Sequence, residues 1–283
     1  MQKEVAATVG PCNFWQHSIR QYIFYMQIGT TTRNLPTADL VEADGENAGT
    51  FRRMNSGPPW PQALLEVFLC CGAPTQFLVG GILALAGLRA GAEGQLTLQL
   101  LAFIIGLDTV LLVGLVLSLL VLGGESPRHV LLGSRRIAGE ILRGFALVPW
   151  VFLLFSVTGL VLHRLAPGLF SPNPFATIAT TRAEYVLFGV IVLLGGGVRE
   201  EIQRAFILHR CEQRLGGAIV GVIGFGLLFG AMHFVQGWSV VIITALLGTL
   251  WNLVYLARRS VVAPMVSHAS FNLIEVIGFG LGA

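Results

Sequence analysis

The sequence predicts an all-α, polytopic membrane protein with about seven transmembrane helices. Composition and run length predict it. Apolar residues make up 54% of the 283 and charged residues only 12%, half the roughly 25% of soluble chains. The apolar residues also come in long runs, and runs of roughly 18 or more mark membrane helices. A membrane β-barrel would show short alternating segments instead. The same arithmetic excludes whole-chain disorder, a collagen-like fibre and a disulfide scaffold.

Residues 1–60 read as a polar extension, disordered or loosely attached. The stretch from Asn34 to Gly57 is rich in turn residues and holds Asp39, Glu42, Asp44, Glu46, Arg52 and Arg53. No apolar h-region follows Lys3, so it is not a secretory signal peptide. Met54, just ahead of the first apolar run, is an alternative start of translation, and residues 1 to about 55 are expected to be dispensable. From Pro61 onward seven apolar segments follow, at 63–88, 96–122, 139–162, 184–210, 216–235, 238–257 and 260–282. The first two form an N-terminal pair within 61–122, and the rest a core over 123–283. Each must be helical, because backbone groups have no water to pair with in lipid. Gly226 and Gly230 make a small-xxx-small step suited to close helix packing. Cys70 and Cys71 lie in an apolar run without metal spacing and read as small packing residues.

Arginines set the orientation. Arg128, Arg135, Arg136 and Arg143 lie in one connection, Arg210 and Arg214 at a second, and Arg258 and Arg259 at a third. These fall on one side of a seven-helix path together with the N-terminus. The other side has Arg89, Arg164 and Arg182. The positive-inside rule then places the N-terminus in the cytoplasm. Cations at the ends of apolar runs suit topology, not nucleic-acid binding.

Ionisable residues in membrane helices are costly and mark functional sites. The first three segments offer Glu66 and Asp108, and Asp108 is expected to pair with another helix. The last four offer Arg199, Glu200, Glu201, Arg204, His233, His268 and Glu275, with Asn272 beside them. Glu200 and His233 each lie about 23–26 Å from the Arg214–Gly217 turn, at matched depth on adjacent antiparallel helices. His268 and Asn272 share a helix face at i,i+4, and Glu275 continues it, paired with His268 or a helix end. Counted from the Arg258-Arg259 turn, His268 is only about 13 Å deep, some 10 Å short of the others. His17, His129, His163 and His209 read as solvated. Two carboxylates beside histidines suit hydrolysis, with a carboxylate taking a proton from water and the histidines binding a metal or stabilising the oxyanion. The motifs of zincins and of G-x-S-x-G serine hydrolases are absent.

At these residues the sequence resembles the CAAX-protease and bacteriocin-processing (CPBP) family, the Abi or Rce1-like intramembrane proteases. Their pattern is E-E-x-x-x-R, then F-x-x-x-H, then H-x-x-x-N. Phe229 to His233 matches the second motif and His268 to Asn272 the third. The first departs: in Glu200-Glu201-Ile202-Gln203-Arg204 the arginine comes one place early. Anchored on the Glu pair, Glu200 is the base, with Glu201 the fallback. Anchored on Arg204, Arg199 stands where the first Glu belongs, and Glu200 and Arg204 become an i,i+4 structural pair.

The resemblance implies an integral membrane endopeptidase, hydrolysing a membrane-associated and in some relatives prenylated protein or peptide. Its catalytic residues would be Glu200, Glu201, His233, His268 and Asn272, supported by Arg204 and Phe229. A Zn2+ ion held by Glu200, His233 and His268 and a metal-free site use the same residues, and both stay open. The location implied is a bacterial inner membrane. The alternative is a non-catalytic membrane scaffold or bacteriocin self-immunity protein on the same helices, supported by the altered first motif.

Overall fold

The computed structural model describes residues 57–87, 97–175 and 178–282. The expectations for the N-terminal extension, Met54 and His17 lie outside these residues. Among the described residues every regular element is helical, and the protein is an integral membrane protein. The helices are α1 (Trp60–Cys70), α2 (Ala73–Leu85), α3 (Leu98–Leu122), α4 (Pro127–Leu132), α5 (Ile137–Leu165), α6 (Arg182–Val192), α7 (Glu200–Arg214), α8 (Ala218–Ala231), α9 (Trp238–Arg258) and α10 (Val262–Gly282). A π-helical stretch, Leu193–Arg199, joins α6 to α7 without a break.

The burial pattern is that of a protein dissolved in lipid. Arg204, Arg210, Gln203, Glu140 and Glu201 are among the most completely buried large side chains, whereas Phe77, Leu85 and Leu122 face outward. Apolar surface costs nothing against acyl chains, while a charge there costs several kcal/mol, so the charges turn inward and pair.

All seven apolar segments are helical, but seven crossings are not established. Among the described residues four helices, α3, α5, α9 and α10, are long and apolar enough to span a membrane. The first segment is the pair α1 and α2, bent by 47° at a short break, and counts as a fifth if taken as one span. At Gly72, between them, φ is +97° and a Cβ would strike the Arg199 guanidinium, so only glycine suits the bend. The fourth segment is the rod α6–π–α7, whose second half carries too much charge to pass as an apolar span. The fifth, α8, has 14 residues, about 21 Å of helix, short of a 30 Å hydrocarbon core. It is held against α9 instead. Cβ atoms on Gly226 and Gly230 would collide with Thr249, Ala245 and the Val241 carbonyl, so the small-xxx-small step is a packing face.

The three arginine-rich connections meet at one end of the bundle, as the positive-inside reading requires. Arg210 binds Glu66 of α1 (2.5 Å) and Glu125 of the α3–α4 connection. Arg258 grips both oxygens of Glu140 on α5 at 3.1 and 2.6 Å. Arg259 pairs with Glu212 of α7, 2.7 Å for one of the two contacts. The Val261 amide donates to the Leu131 carbonyl (2.8 Å), and Arg214 reaches the Pro58 carbonyl (3.0 Å). His209 corrects the sequence reading: it is not solvated but lies against Glu125 and Gln213. The acid that receives it is 84 residues away in sequence. His129 and His163 are exposed, as expected.

Candidate functional site

The site forms where the π-helical stretch meets α10. Gly195, Gly196 and Gly197 occupy that stretch and are buried. A Cβ on Gly196 would lie 2.1 Å from the Asn272 amide nitrogen and 3.3 Å from His268 Nε2. The bare backbone therefore lets α10 bring its polar face against the start of α7. π-turns inside α-helices often mark functional sites. Here the turn also settles where each side chain at the head of α7 goes.

Arg199 leaves the cavity. It is 3% exposed, and its Nε lies 2.6 Å from Asp108 of α3, which is fully buried. The contact is an ion pair by distance, but the approach is not that of a hydrogen bond. The expected interhelical partner of Asp108 is thus Arg199. Glu200, by contrast, lines a cavity of about 480 Å3 together with His233, His268, Asn272 and Glu275. Its carboxylate is 3.8 Å from His268 Nε2 and 3.8 Å from the Arg199 guanidinium.

Glu201, about 100° further round the helix, points into protein and is fully buried. It accepts from Arg204 Nε (2.9 Å) and from His268 Nδ1 (2.8 Å). The Glu200–Arg204 pair allowed by i,i+4 spacing does not form; Arg204 binds Glu201 at i,i+3 instead. Arg204 also donates to the Gly248 carbonyl (2.8 Å) and to Asn252 Oδ1 (2.6 Å), and Asn252 in turn donates to the Val222 carbonyl (2.9 Å). The Phe225, Phe229 and Trp251 rings close around its guanidinium at 4.9–5.7 Å. A buried charge is tolerable when it is paired and hydrogen-bonded, and Arg204 ties α7, α8 and α9 into one frame behind the histidines.

Both imidazoles are oriented. A carbonyl oxygen can only accept, so His233 donates Nδ1–H to the Phe229 carbonyl at 2.7 Å. In the neutral imidazole that leaves Nε2 without the proton. His268 gives its Nδ1–H to Glu201, which likewise frees Nε2, beside Glu200 and Asn272. Phe229 lies 4.8 Å from the His233 ring and 6.0 Å from the His268 ring. Trp251 and Asn252 were not singled out in the sequence. An asparagine within an apolar span is a polar signal that was there to read, whereas nothing in sequence distinguishes Trp251 from a packing residue.

The apparent 10 Å depth deficit of His268 disappears because the two turns are not level. Arg259 reaches Glu212, and from there Glu201 is 11 residues up α7, about 16 Å. His268 is nine residues up α10 from Arg259, about 13 Å, and the long arginine side chain takes up the rest. Glu275 departs from its expected pairing: it lines the same cavity as His268, and among the described residues it forms no hydrogen bond or ion pair. The three donors of the zinc expectation, Glu200, His233 and His268, all line the cavity. Among the described residues no three His, Cys, Asp or Glu side chains stand together as a metal site.

One known family matches the segment that carries this geometry. Residues 182–274, a third of the chain, match the family model described as type II CAAX prenyl endopeptidase Rce1-like. That segment is Rce1-like. Neither curated proteins nor solved structures give a match. The Rce1-like segment begins at the first residue of α6 and ends within α10. It takes in Glu200, Glu201, Arg204, Phe229, His233, His268 and Asn272, and it leaves α1 to α5 outside. At family level the Rce1-like assignment supports a CAAX-protease-like membrane endopeptidase acting on a membrane-associated substrate.

Proposed function

We propose that the protein is an intramembrane endopeptidase in which Glu200 activates water for attack on a peptide bond. The observation that carries this reading is the convergence of Glu200, His233, His268 and Asn272 on one cavity inside the family-matched segment. A gap of 3.8 Å between Glu200 and His268 Nε2 is too long for a direct hydrogen bond and leaves a place for water beside both. His268, through an unprotonated Nε2, accepts one hydrogen bond from that water and orients it, leaving the other O–H for Glu200, while His233 lines the cavity beside them. Glu200 takes its proton as the oxygen attacks the scissile carbonyl, and the same carboxyl then delivers the proton to the departing amine. The Asn272 amide donates to the developing oxyanion. Glu201 and Arg204 hold His268 in place and do not touch the substrate. No step needs a metal. The substrate class is a membrane-associated peptide, prenylated in the CAAX manner or not. The arginine-rich end faces the cytoplasm, in a bacterial inner membrane.

The competing reading, a non-catalytic scaffold or immunity factor, is favoured by one observation: the arginine of the first motif stands one residue early, with Arg199 five places before it. Purified protein in nanodiscs, offered membrane-anchored peptides and followed by mass spectrometry, tests the choice. Cleavage that vanishes in Glu200→Gln, with an unchanged helical spectrum, supports the enzyme. Peptide binding without cleavage by the native protein supports the scaffold.

A further inference from the structure

The cavity has a second carboxylate that the mechanism leaves idle. Glu275 lines it one helical turn beyond Asn272 and two beyond His268, about 4.5 and 10 Å along α10. It lies one residue past the end of the family match, so the family pattern does not call for it. Its surroundings there are apolar: Phe188, Ile191, Val276 and Phe279 line the same region. Among the described residues it has no hydrogen-bond or ion-pair partner, in contrast to Glu66, Glu125, Glu140, Glu201 and Glu212, each of which is held by an arginine. Among the described residues no lysine or arginine lines the cavity, and the acidic side chains that do are Glu200 and Glu275. A cation brought to Glu275 in this low-dielectric setting favours the charged form of the carboxyl and is held strongly by it.

We propose that Glu275 is a specificity-determining residue that receives a basic side chain, lysine or arginine, of the substrate. This rests on the reading of the cavity as a peptide-cleaving site. An extended peptide advances about 3.3 Å per residue. A bond held between Glu200 and His268 then puts the basic side chain within three residues of the cleavage point. Bound there, the cation supplies the partner that Glu275 lacks in the chain itself, and the apolar wall covers the aliphatic stem.

Binding and cleavage are measured separately. A set of fluorescent membrane-anchored peptides carries lysine, or norleucine in its place, at each of the three positions on either side of the cleaved bond. Their affinities are measured by fluorescence anisotropy on full-length Glu200→Gln protein in nanodiscs. At one position or more the lysine peptide should bind about ten-fold tighter or better, the factor a hydrogen bond to a charged group supplies. Adding Glu275→Gln should erase that difference, Glu275→Asp should keep part of it, and Glu275→Lys should turn the preference toward glutamate peptides. Equal affinities throughout, a preference that survives Glu275→Gln, or no binding of any peptide overturns the proposal. Lysine-selective binding without cleavage by the native protein would instead uphold Glu275 and remove the protease reading.

Discussion

Trp251 lies flat on His268, with ring centroids 3.9 Å apart and planes 19° from parallel. Its Nε1–H points to Ser267 Oγ at 3.4 Å, the residue just before His268, so the indole is held from the helix it covers. Together with the Glu201 hydrogen bond in the ring plane, this stack leaves the imidazole little freedom to tilt or rotate. Its free Nε2 is therefore aimed at the cavity before substrate arrives. Preorganisation of this kind, a side chain locked by its supporting shell, is what catalytic geometry needs.

Trp251→Leu keeps the site apolar but removes the flat support. It should lower kcat by about ten-fold or more with little change in KM, since a misaimed group of this kind costs up to about 100-fold. Steady-state proteolysis checks it. A rise in KM alone would mean that Trp251 contacts substrate and does not position His268.

Glu200→Gln and Glu201→Gln should fail in different ways. The first keeps the shape of a part-exposed side chain and removes the proton acceptor, so proteolysis should fall by about 100- to 10,000-fold while the melting temperature holds. The sequence alone predicts a lesser effect at Glu201. The buried contacts change that expectation: with the Glu201 charge gone, Arg204 is left with a fully buried charge and only neutral partners. Breaking a buried pair from one side costs about 3–5 kcal/mol, so Glu201→Gln should lose thermal stability first and activity with it. Equal melting temperatures for the two variants would contradict this.

The site was legible in the sequence because its members are polar residues in apolar helices, where composition alone makes them conspicuous. His233, His268 and Asn272 stood out for that reason, as did the pairing need of Asp108. What sequence could not supply was rotation and level. Arg199, Glu200 and Glu201 are adjacent, and which of them faces the cavity depends on the π-turn at Leu193–Arg199, which adds a residue to one turn of an otherwise regular count. The depth of His268 likewise depended on how far the α7–α8 turn projects past the α9–α10 turn, a tertiary fact. The number of membrane crossings is not established for a related reason. Length and hydropathy treat α7 as the end of an apolar run, although its charged face is buried against α1, α3 and α10.

Activity should survive prolonged chelation with EDTA or 1,10-phenanthroline. Zinc would need His268 and Glu200 as joint donors with His233, and no such group forms among the described residues. Elemental analysis of the chelated, active protein completes the test. Activity lost on chelation and restored by Zn2+ alone would overturn the metal-free mechanism.

Orientation is open to side-chain labelling. Arg135 and Arg164 flank α5, which spans 29 residues, and both are exposed. In a background with the native cysteines replaced, Arg135→Cys should react with a membrane-impermeant maleimide only after the cells are opened. Arg164→Cys should react in intact cells. The reverse pattern would invert the topology, and equal labelling would remove α5 as a crossing.

Acid should loosen the arginine-rich end of the bundle. Burial alone would raise the Glu125 carboxyl, but hydrogen bonds from His209 and Arg210, with the Arg210 charge, outweigh it and hold the group at about 2 against an ordinary 4.5. A carboxyl depressed on folding lends stability that is complete above its unfolded value and disappears as pH falls through the folded one. The contribution from Glu125 should therefore be intact at pH 6 and fade between about 5 and 2. Glu125→Gln should still fold, because Arg210 keeps Glu66. It should melt lower than the native protein at pH 7, and the gap should narrow steadily toward pH 3. Detergent-solubilised thermal unfolding at a series of pH values reads this directly. A gap that stays constant down to pH 3 would show that the Glu125 contacts contribute packing, not charge.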